Sequence, residues 1–231
     1  MKKSLELSII IPTYNESENI KPLFNRIAKA LANTEYEIIF VDDNSMDGTI
    51  DKIKEITSKH NNIKLIIRKN KQGLSSAILK GFESAQGQII AVMDADLQHP
   101  PELLPKMFKK IKEGYDIVIA SRYIKGGKIE KWNFNRKIVS KAAALITRIT
   151  IPKARKIKDP LSGFFMLKKQ VIENADINPI GFKILLEIIT KGEYRKITEI
   201  PYTFEPRRRG KSKFSTKEII NFLTQLIRLI F

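Results

Sequence analysis

The chain has 231 residues, and 42 Lys and Arg against 25 Asp and Glu give a formal net charge of +17, which calls for an anionic partner: phosphorylated substrates, an acidic membrane surface or nucleic acid. The absence of cysteine excludes disulfides and thiolate metal sites, and two histidines, His60 and His99, are too few for a histidine-built zinc centre. No apolar run approaches the roughly 20 residues that cross a bilayer, and the first residues lack a signal peptide's apolar core and cleavage site, so a reducing, cytoplasmic setting is expected.

Residues 7–11 form a short apolar run that ends at Pro12-Thr13-Tyr14-Asn15. Ile20, Leu23, Phe24, Ile27, Ala28 and Leu31 give residues 18–32 helical spacing. Residues 37–41 read as a second strand closing on Asp42-Asp43, 49–59 as a helix, 63–67 as a third strand and 74–85 as a helix after Gly73. A fourth strand at 89–93, a helix at 101–113 and a fifth strand at 116–120 continue the rhythm. Strands separated by helices in this way predict a Rossmann-like α/β fold, a mainly parallel sheet with helices on both faces.

The alternation stops after Ser121. Gly126-Gly127 marks a loop. Residues 136–150 are helical, with an apolar stripe of Ile138, Val139, Ala142, Ala143, Leu145, Ile146 and Ile149 interrupted by Lys137, Lys141 and Arg148. Strands are expected at 164–167 and 194–202, with a helix at 182–190 between them. The basic run 207–213 precedes a last helix at 216–231, which bears Ile219, Ile220, Leu223, Leu226, Ile227 and Ile230 on one side. These amphipathic basic helices either pack on the core or lie in a membrane interface. The apolar residues 226–231 suggest docking to a membrane, a partner subunit, or a spanning segment absent from this chain.

Asp94-Ala95-Asp96-Leu97-Gln98-His99-Pro100-Pro101 carries the most chemical information. Two carboxylates one residue apart at the exit of a buried strand are costly unless positive charge sits beside them. Asp and Gln oxygens are the hard ligands that Mg²⁺ and Mn²⁺ prefer. A capped, Asp-rich turn is the other reading of this short motif. No Gly-x-Gly-x-x-Gly or Walker loop follows a strand, so phosphates must be met by metal and by Lys and Arg. Polar clusters close the first, second and fourth strands, and parallel strands bring such ends to one edge, where open α/β sheets bind ligands.

The motifs Ile10-Ile11-Pro12-Thr13-Tyr14-Asn15-Glu16, Val41-Asp42-Asp43-Asn44-Ser45-Met46-Asp47-Gly48-Thr49, Gly73-Leu74-Ser75-Ser76-Ala77 and the 94–101 run resemble family-2 glycosyltransferases of the GT-A fold. Ser121-Arg122-Tyr123, Asp159-Pro160-Leu161-Ser162-Gly163-Phe164-Phe165, residues 181–187 and Arg207-x-x-Gly210-x-Ser212-Lys213 narrow the resemblance to archaeal-type dolichol phosphate mannose synthases and other polyprenyl-phosphate glycosyltransferases. The resemblance implies that Pro12, Tyr14, Glu16, Val41 and Asp43 hold the nucleoside. Asp94, Ala95, Asp96 and Gln98, with Arg207 and Lys213, would hold the sugar diphosphate. Asp94, Asp96 and Gln98 would bind Mg²⁺ or Mn²⁺. Arg122, Arg136 and Ser140 would receive the lipid phosphate, and Asp96, Arg122, Arg136 and Ser140 form the implied catalytic set. Asn44 departs from an often acidic or glycine position.

By the same resemblance, the expected reaction is inverting transfer of mannose from GDP-mannose to dolichyl or another polyprenyl phosphate, at the cytoplasmic face of an anionic membrane. A lipid monophosphate is largely ionised near neutral pH, its second pKa being about 6, so it needs no strong protein base. Residues 1–214 would form the catalytic domain, including an interfacial helix at 136–150, and 215–231 a C-terminal amphipathic helix. A UDP-glucose or other UDP-sugar transferase to polyprenyl phosphate is the nearest rival. Nucleic acid is not expected as a partner, because aromatic residues are not interleaved with the basic run. Intact Asp94, Asp96 and Gln98 argue against a non-catalytic subunit.

Overall fold

The computed structural model describes residues 5–70, 73–206 and 216–230. Its first half is a succession of apolar strands and amphipathic helices: β1 (Leu7–Thr13), α1 (Ser17–Ala30), β2 (Tyr36–Asp42), α2 (Thr49–Thr57), β3 (Ile63–Ile67), α3 (Leu74–Ser84) and β4 (Ile89–Val92). A single 3₁₀ turn at Pro101–Leu103 leads into α4 (Leu104–Lys112), then β5 (Ile117–Ser121). The prolines at 101 and 105 suit helix starts, where no backbone N–H is needed.

Every residue of β1, β4 and β5 is buried. Alternate side chains point to opposite faces of a sheet. Ile9, Ile11, Ile38, Phe40 and Val118 therefore join one core cluster, with side chains of α1, α2 and α4. Ile10, Ile39, Val41, Ile117 and Ile119 join a second, with α3. Each fully buried Ile or Leu contributes about 1.5–3 kcal/mol over leaving it in water, and burial on both faces explains why these strands read as continuous apolar runs.

The second half supplies β6 (Lys128–Ile129), α5 (Phe134–Thr150), β7 (Phe165–Lys168), the short α6 (Gln170–Glu173), α7 (Ile184–Lys191), β8 (Ile197–Pro201), β9 (Thr203–Phe204) and α8 (Thr216–Ile230). The main sheet has seven strands in the order β3-β2-β1-β4-β7-β5-β8. All its pairings are parallel except those of β7, which runs antiparallel to both β4 and β5. The expected mainly parallel sheet is thus observed, with one reversed strand inside it. Periodicity reports which residues alternate, not which way a strand runs. A separate two-stranded sheet pairs β6 with β9, placing the 121–132 segment beside 203–204.

α5 begins two residues earlier than its apolar pattern suggests, because the Asn133 side chain caps it by accepting the Arg136 N–H at 2.9 Å. Only Ala144 and Thr147 of this helix are buried. Phe134, Ile138, Val139, Leu145, Ile146 and Ile149 are exposed, Ile149 at 67%. In α8, Phe222, Gln225 and Leu226 turn inward, while Ile219, Ile220, Leu223, Ile227 and Ile230 remain exposed. No helix among the described residues is long and apolar enough to cross a membrane.

Candidate active site

The carboxyl ends of β1 and β2 are tied together by Asp42, which is fully buried. Its carboxylate accepts the Thr13 hydroxyl, the Ser45 hydroxyl and the Ser45 N–H, each at 2.7 Å. The Asn15 N–H donates to Ser45 Oγ at 2.8 Å, and the Glu16 N–H to Thr49 Oγ1 at 2.9 Å. These bonds fix the loops that carry Tyr14, Glu16 and Asp43. Register places Pro12 beside Val41. Both residues are buried, and Val41 belongs to the core, so its backbone is the part that borders the edge.

Asp43, next along the chain from Asp42, faces a different set of groups. Its carboxylate accepts the N–H of Gly73 at 3.0 Å and pairs with Arg68. Arg68 in turn donates to Ser76 Oγ at 2.6 Å and to the Gly73 carbonyl at 2.8 Å. Gly73 has φ +96°, a conformation that L side chains rarely adopt. Asp43, Arg68 and the start of α3 therefore form one buried polar unit. Sequence reasoning missed Arg68; its signal was a lone arginine directly after an apolar strand.

Asp94, Ala95, Asp96 and Gln98 follow β4. Asp96, Ala95 and Gln98 are buried, while Asp94 is partly exposed. Asp96 Oδ1 accepts the Gln98 N–H at 3.1 Å, and Gln98 Nε2 donates to the carbonyl of Glu205 at 2.8 Å. Leu97 between them has φ +63°, while Asn15 and Asn44, beyond the β1 and β2 ends, lie at +54° and +59°. Left-handed backbone at non-glycine residues costs energy and gathers at functional loops, and here it occurs beyond all three strand ends.

His99 is withdrawn from acid–base work. Its Nδ1 accepts the Asp94 N–H at 3.0 Å, which puts the ring proton on Nε2. The ring stacks on Phe164 and meets Tyr202 and Phe204 edge-on. The 3.6 Å approach of Asp94 Oδ2 to Nδ1 is accordingly not an ion pair. Among the described residues, no three His, Asp or Glu side chains are arranged to hold a metal. The donor set that fits a hard divalent cation is Asp94, Asp96 and the Gln98 amide oxygen, whose orientation follows from the commitment of Nε2 to Glu205. This all-oxygen set suits Mg²⁺ or Mn²⁺ and excludes softer preferences.

Arg122 is held by Asp159 through Nε–Oδ2 at 2.8 Å and Nη2–Oδ1 at 2.7 Å, and the Arg122 N–H adds 2.9 Å to the same carboxylate. Burial opposes the Arg122 charge, but the Asp159 carboxylate outweighs it and holds the guanidinium above its usual range. Arg136 lies with Cζ 4.0 Å from the Trp132 ring centroid. Ser140 accepts a 2.7 Å hydrogen bond from the Tyr123 hydroxyl. The β5 exit and α5 are thus joined around the three residues expected to receive a phosphate. Arg207 and Lys213 lie outside the described residues.

Lys183 is a second residue that the sequence reading passed over. Burial, reinforced by the Arg122 charge, pushes its ammonium down to about 7, while Asp159 and Asp94 pull the other way. The signal was present: a lysine preceding the apolar run of α7 has to leave water with its stem. Burial also raises the Tyr202 phenol well above its ordinary range, so it remains protonated.

Comparisons with known proteins bear on the family and the fold. Dolichol-phosphate mannosyltransferase of Pyrococcus furiosus is 53% identical over 98% of this chain, which spans 64% of that relative's length, just under two thirds. The protein of the same name from Saccharomyces cerevisiae is 42% identical, with 98% of this chain and 87% of the relative covered. The fold is that of glucosyl-3-phosphoglycerate synthase from Mycobacterium tuberculosis, solved with Mn²⁺, UDP-glucose and phosphoglyceric acid. The two superpose with a TM-score of 0.72 at 16% identity, over 97% of this chain and 78% of that one. The model of glycosyl transferase family 2 matches residues 8–175, well over half of the chain: the chain belongs to glycosyl transferase family 2.

Proposed function

We propose that this protein transfers mannose from GDP-mannose to the phosphate of dolichol or a related polyprenol, with inversion at the anomeric carbon. The names of the two relatives support the reaction class. The observation that carries it is the placement of the Asp94–Asp96–Gln98 oxygen cluster and Arg122 at the carboxyl ends of β4 and β5, which flank β7 and run parallel to each other, with the apolar-faced α5 tied to the β5 exit by the Tyr123–Ser140 hydrogen bond. A water-soluble acceptor would need no such face. α5 and α8 would lie in the cytoplasmic surface of the membrane, their exposed Ile and Leu among acyl chains and their Lys and Arg near anionic headgroups.

In this reading Pro12, Tyr14, Glu16, Val41 and Asp43 border the nucleoside, and Asp43 is held ready by Arg68 and Gly73. Asp94, Asp96 and Gln98 would hold Mg²⁺ or Mn²⁺. Such an ion supplies neutralisation of the charge that develops on the leaving diphosphate. Ala95, Arg207 and Lys213 would complete the donor contacts. Arg122, Arg136 and Ser140 orient the acceptor phosphate and offset the repulsion between two anions. A phosphate oxygen forms the new bond to the anomeric carbon as the bond to the diphosphate breaks, and GDP leaves. No side chain is asked to remove a proton, consistent with the locked His99.

The test is transfer of labelled sugar from GDP-mannose, and in parallel from UDP-glucose, to a short polyprenyl phosphate with Mg²⁺, Mn²⁺ or EDTA. Metal-dependent mannosyl transfer is expected. Glucosyl transfer alone would move the protein to the UDP-sugar class, and transfer from neither donor would refute the reading.

A further inference from the structure

α8 settles on the rest of the molecule through Phe222, Gln225 and Leu226, all buried, with Gln225 only 1% exposed. Phe222 and Leu226 join the core cluster that holds Ile184, Leu185 and Ile188 of α7. Gln225 stands between them as a polar group in an apolar contact. Its Nε2 donates to the backbone carbonyl of Lys183 at 3.3 Å and to Glu187 Oε2 at 3.4 Å. Its Oε1 is buried without a hydrogen-bond partner among the described residues. Two long bonds and one orphaned oxygen do not offset the cost of taking an amide out of water. Methionine, of nearly the same length, would pack here at lower cost. Stability therefore does not explain the glutamine, and its bonds point to what it holds.

What it holds is the start of α7. α8 also clasps the segment just before that helix. Arg228 Nη1 donates to the Asn178 carbonyl at 3.1 Å. Gly181, at φ +75°, lies so close to α8 that a Cβ there would meet Asn221 Cβ at 3.0 Å and Glu218 Oε2 at 3.2 Å. Lys183 is the residue of this segment with chemistry to offer. Among the described residues its ammonium donates to the Leu161 carbonyl at 3.4 Å and lies 4.1 Å from the Phe182 ring centroid. An ammonium has three N–H donors, so donors remain for a ligand. Leu161 belongs to the turn whose Asp159 grips Arg122. Lys183 feels the charges of Arg122, Asp159 and Asp94, and that of Glu218 on α8. Its ammonium thus stands on the side of the molecule that carries Asp94 and Arg122.

We propose that Gln225 is a positioning residue: from α8 it holds the Lys183 backbone so that the Lys183 ammonium donates to the diphosphate of the sugar nucleotide bound at Asp94. This deepens the proposed function and rests on it for the identity of that anion. It also ties α8, whose outer face is apolar, to the donor site through one buried amide.

The full chain is prepared as wild type, Gln225→Met, Lys183→Met, the double variant, and Thr224→Ala on the exposed side of α8 as control. Mannosyl-transfer kinetics, GDP affinity by calorimetry with Mn²⁺, and urea denaturation are measured on each. A charge-assisted hydrogen bond is worth about tenfold or more, so Lys183→Met should raise the KM for GDP-mannose and weaken GDP binding by that factor. Gln225→Met should do the same by at least about threefold. The KM for polyprenyl phosphate should hold, and stability should equal or exceed that of wild type. In the double variant the loss should match that of Lys183→Met alone, because the amide acts only through the lysine. Thr224→Ala should behave as wild type. Wild-type GDP affinity in either single variant overturns the proposal, as do losses that multiply in the double variant. A Gln225→Met protein that is less stable and raises both KM values equally also overturns it, leaving the glutamine a structural role. Should Gln225→Met not fold, Gln225→Leu decides by the same criteria. In a protein that transfers no sugar, a non-additive loss of GDP affinity would refute the transferase reading and support the positioning. Mannosyl transfer with losses that multiply would do the reverse, and a wild type that does not bind GDP would overturn both.

Discussion

Gln98 Nε2 donates a 2.8 Å hydrogen bond to the backbone carbonyl of Glu205. The bond joins the loop after β4 to the segment after β9, and it turns the Gln98 amide oxygen away from Glu205. Gln98→Glu keeps an oxygen but loses the Nε2 donor and sets a carboxylate oxygen against that carbonyl. Sugar-transfer turnover is expected to fall by about tenfold or more. Wild-type turnover in this variant would remove Gln98 from the site.

Asp96→Ala deletes a buried carboxylate beside the Gln98 N–H. Loss of a group that organises charge at a leaving phosphate costs roughly 10²–10³ in turnover or more, so transfer should be abolished in a standard assay. Near-normal activity with Mn²⁺ present would contradict the proposed ligand set.

Asp159→Asn removes the charge partner of Arg122, whose side chain is 8% exposed while that of Asp159 is fully buried. Breaking one side of a buried pair leaves an uncompensated charge and costs about 3–5 kcal/mol. Urea denaturation should show that loss. A change below about 1 kcal/mol would mean that Arg122 finds another partner.

Lys183 gives a pH signature of opposite sign to that of a salt-bridged lysine, whose folded pKa is raised. Its ammonium is depressed to about 7 from the ordinary 10.5. Between these values the unfolded chain binds a proton at this position that the folded chain does not, so stability rises with pH through that window. Below about 7 both states are protonated, and the full cost of the enclosed charge is felt. Lys183→Met should be more stable than wild type near pH 7, with the difference shrinking toward pH 10. A difference that does not vary with pH would show that the ammonium is solvated.

Trp132→Ala removes the ring beneath the Arg136 guanidinium. A partly desolvated cation–π contact is worth about 0.5–2 kcal/mol. The KM for polyprenyl phosphate should rise several-fold while that for the sugar nucleotide holds, and Trp132→Tyr should restore most of the loss. Equal loss for both substrates would assign Trp132 a structural role only.

The sheet was legible because each strand is short, apolar and bounded by turns, and the helices were legible from their 3.6-residue period. The ends at Asp42, Asp43 and Asp94 could be placed on one edge once the strands were taken as parallel. Arg68 and Lys183 each left only a local mark, a lone cation bordering an apolar run, and a single charged residue carries no period that would assign it a partner. The reversal of β7 was not legible, since it depends on where the chain returns after α5.

The sequence alone determined the α/β alternation, the oxygen-rich cluster after β4, the cationic excess and the apolar stripe of α5, because each is a property of neighbours along the chain. Tertiary structure alone decided which charges are spent. Asp42 binds Thr13 and Ser45, Asp159 binds Arg122, and His99 is turned inward to accept the Asp94 N–H. It also decided that the α5 stripe faces outward. These outcomes depend on contacts between residues far apart in sequence, where hydrogen-bond geometry and burial, not composition, determine which groups remain available to a ligand.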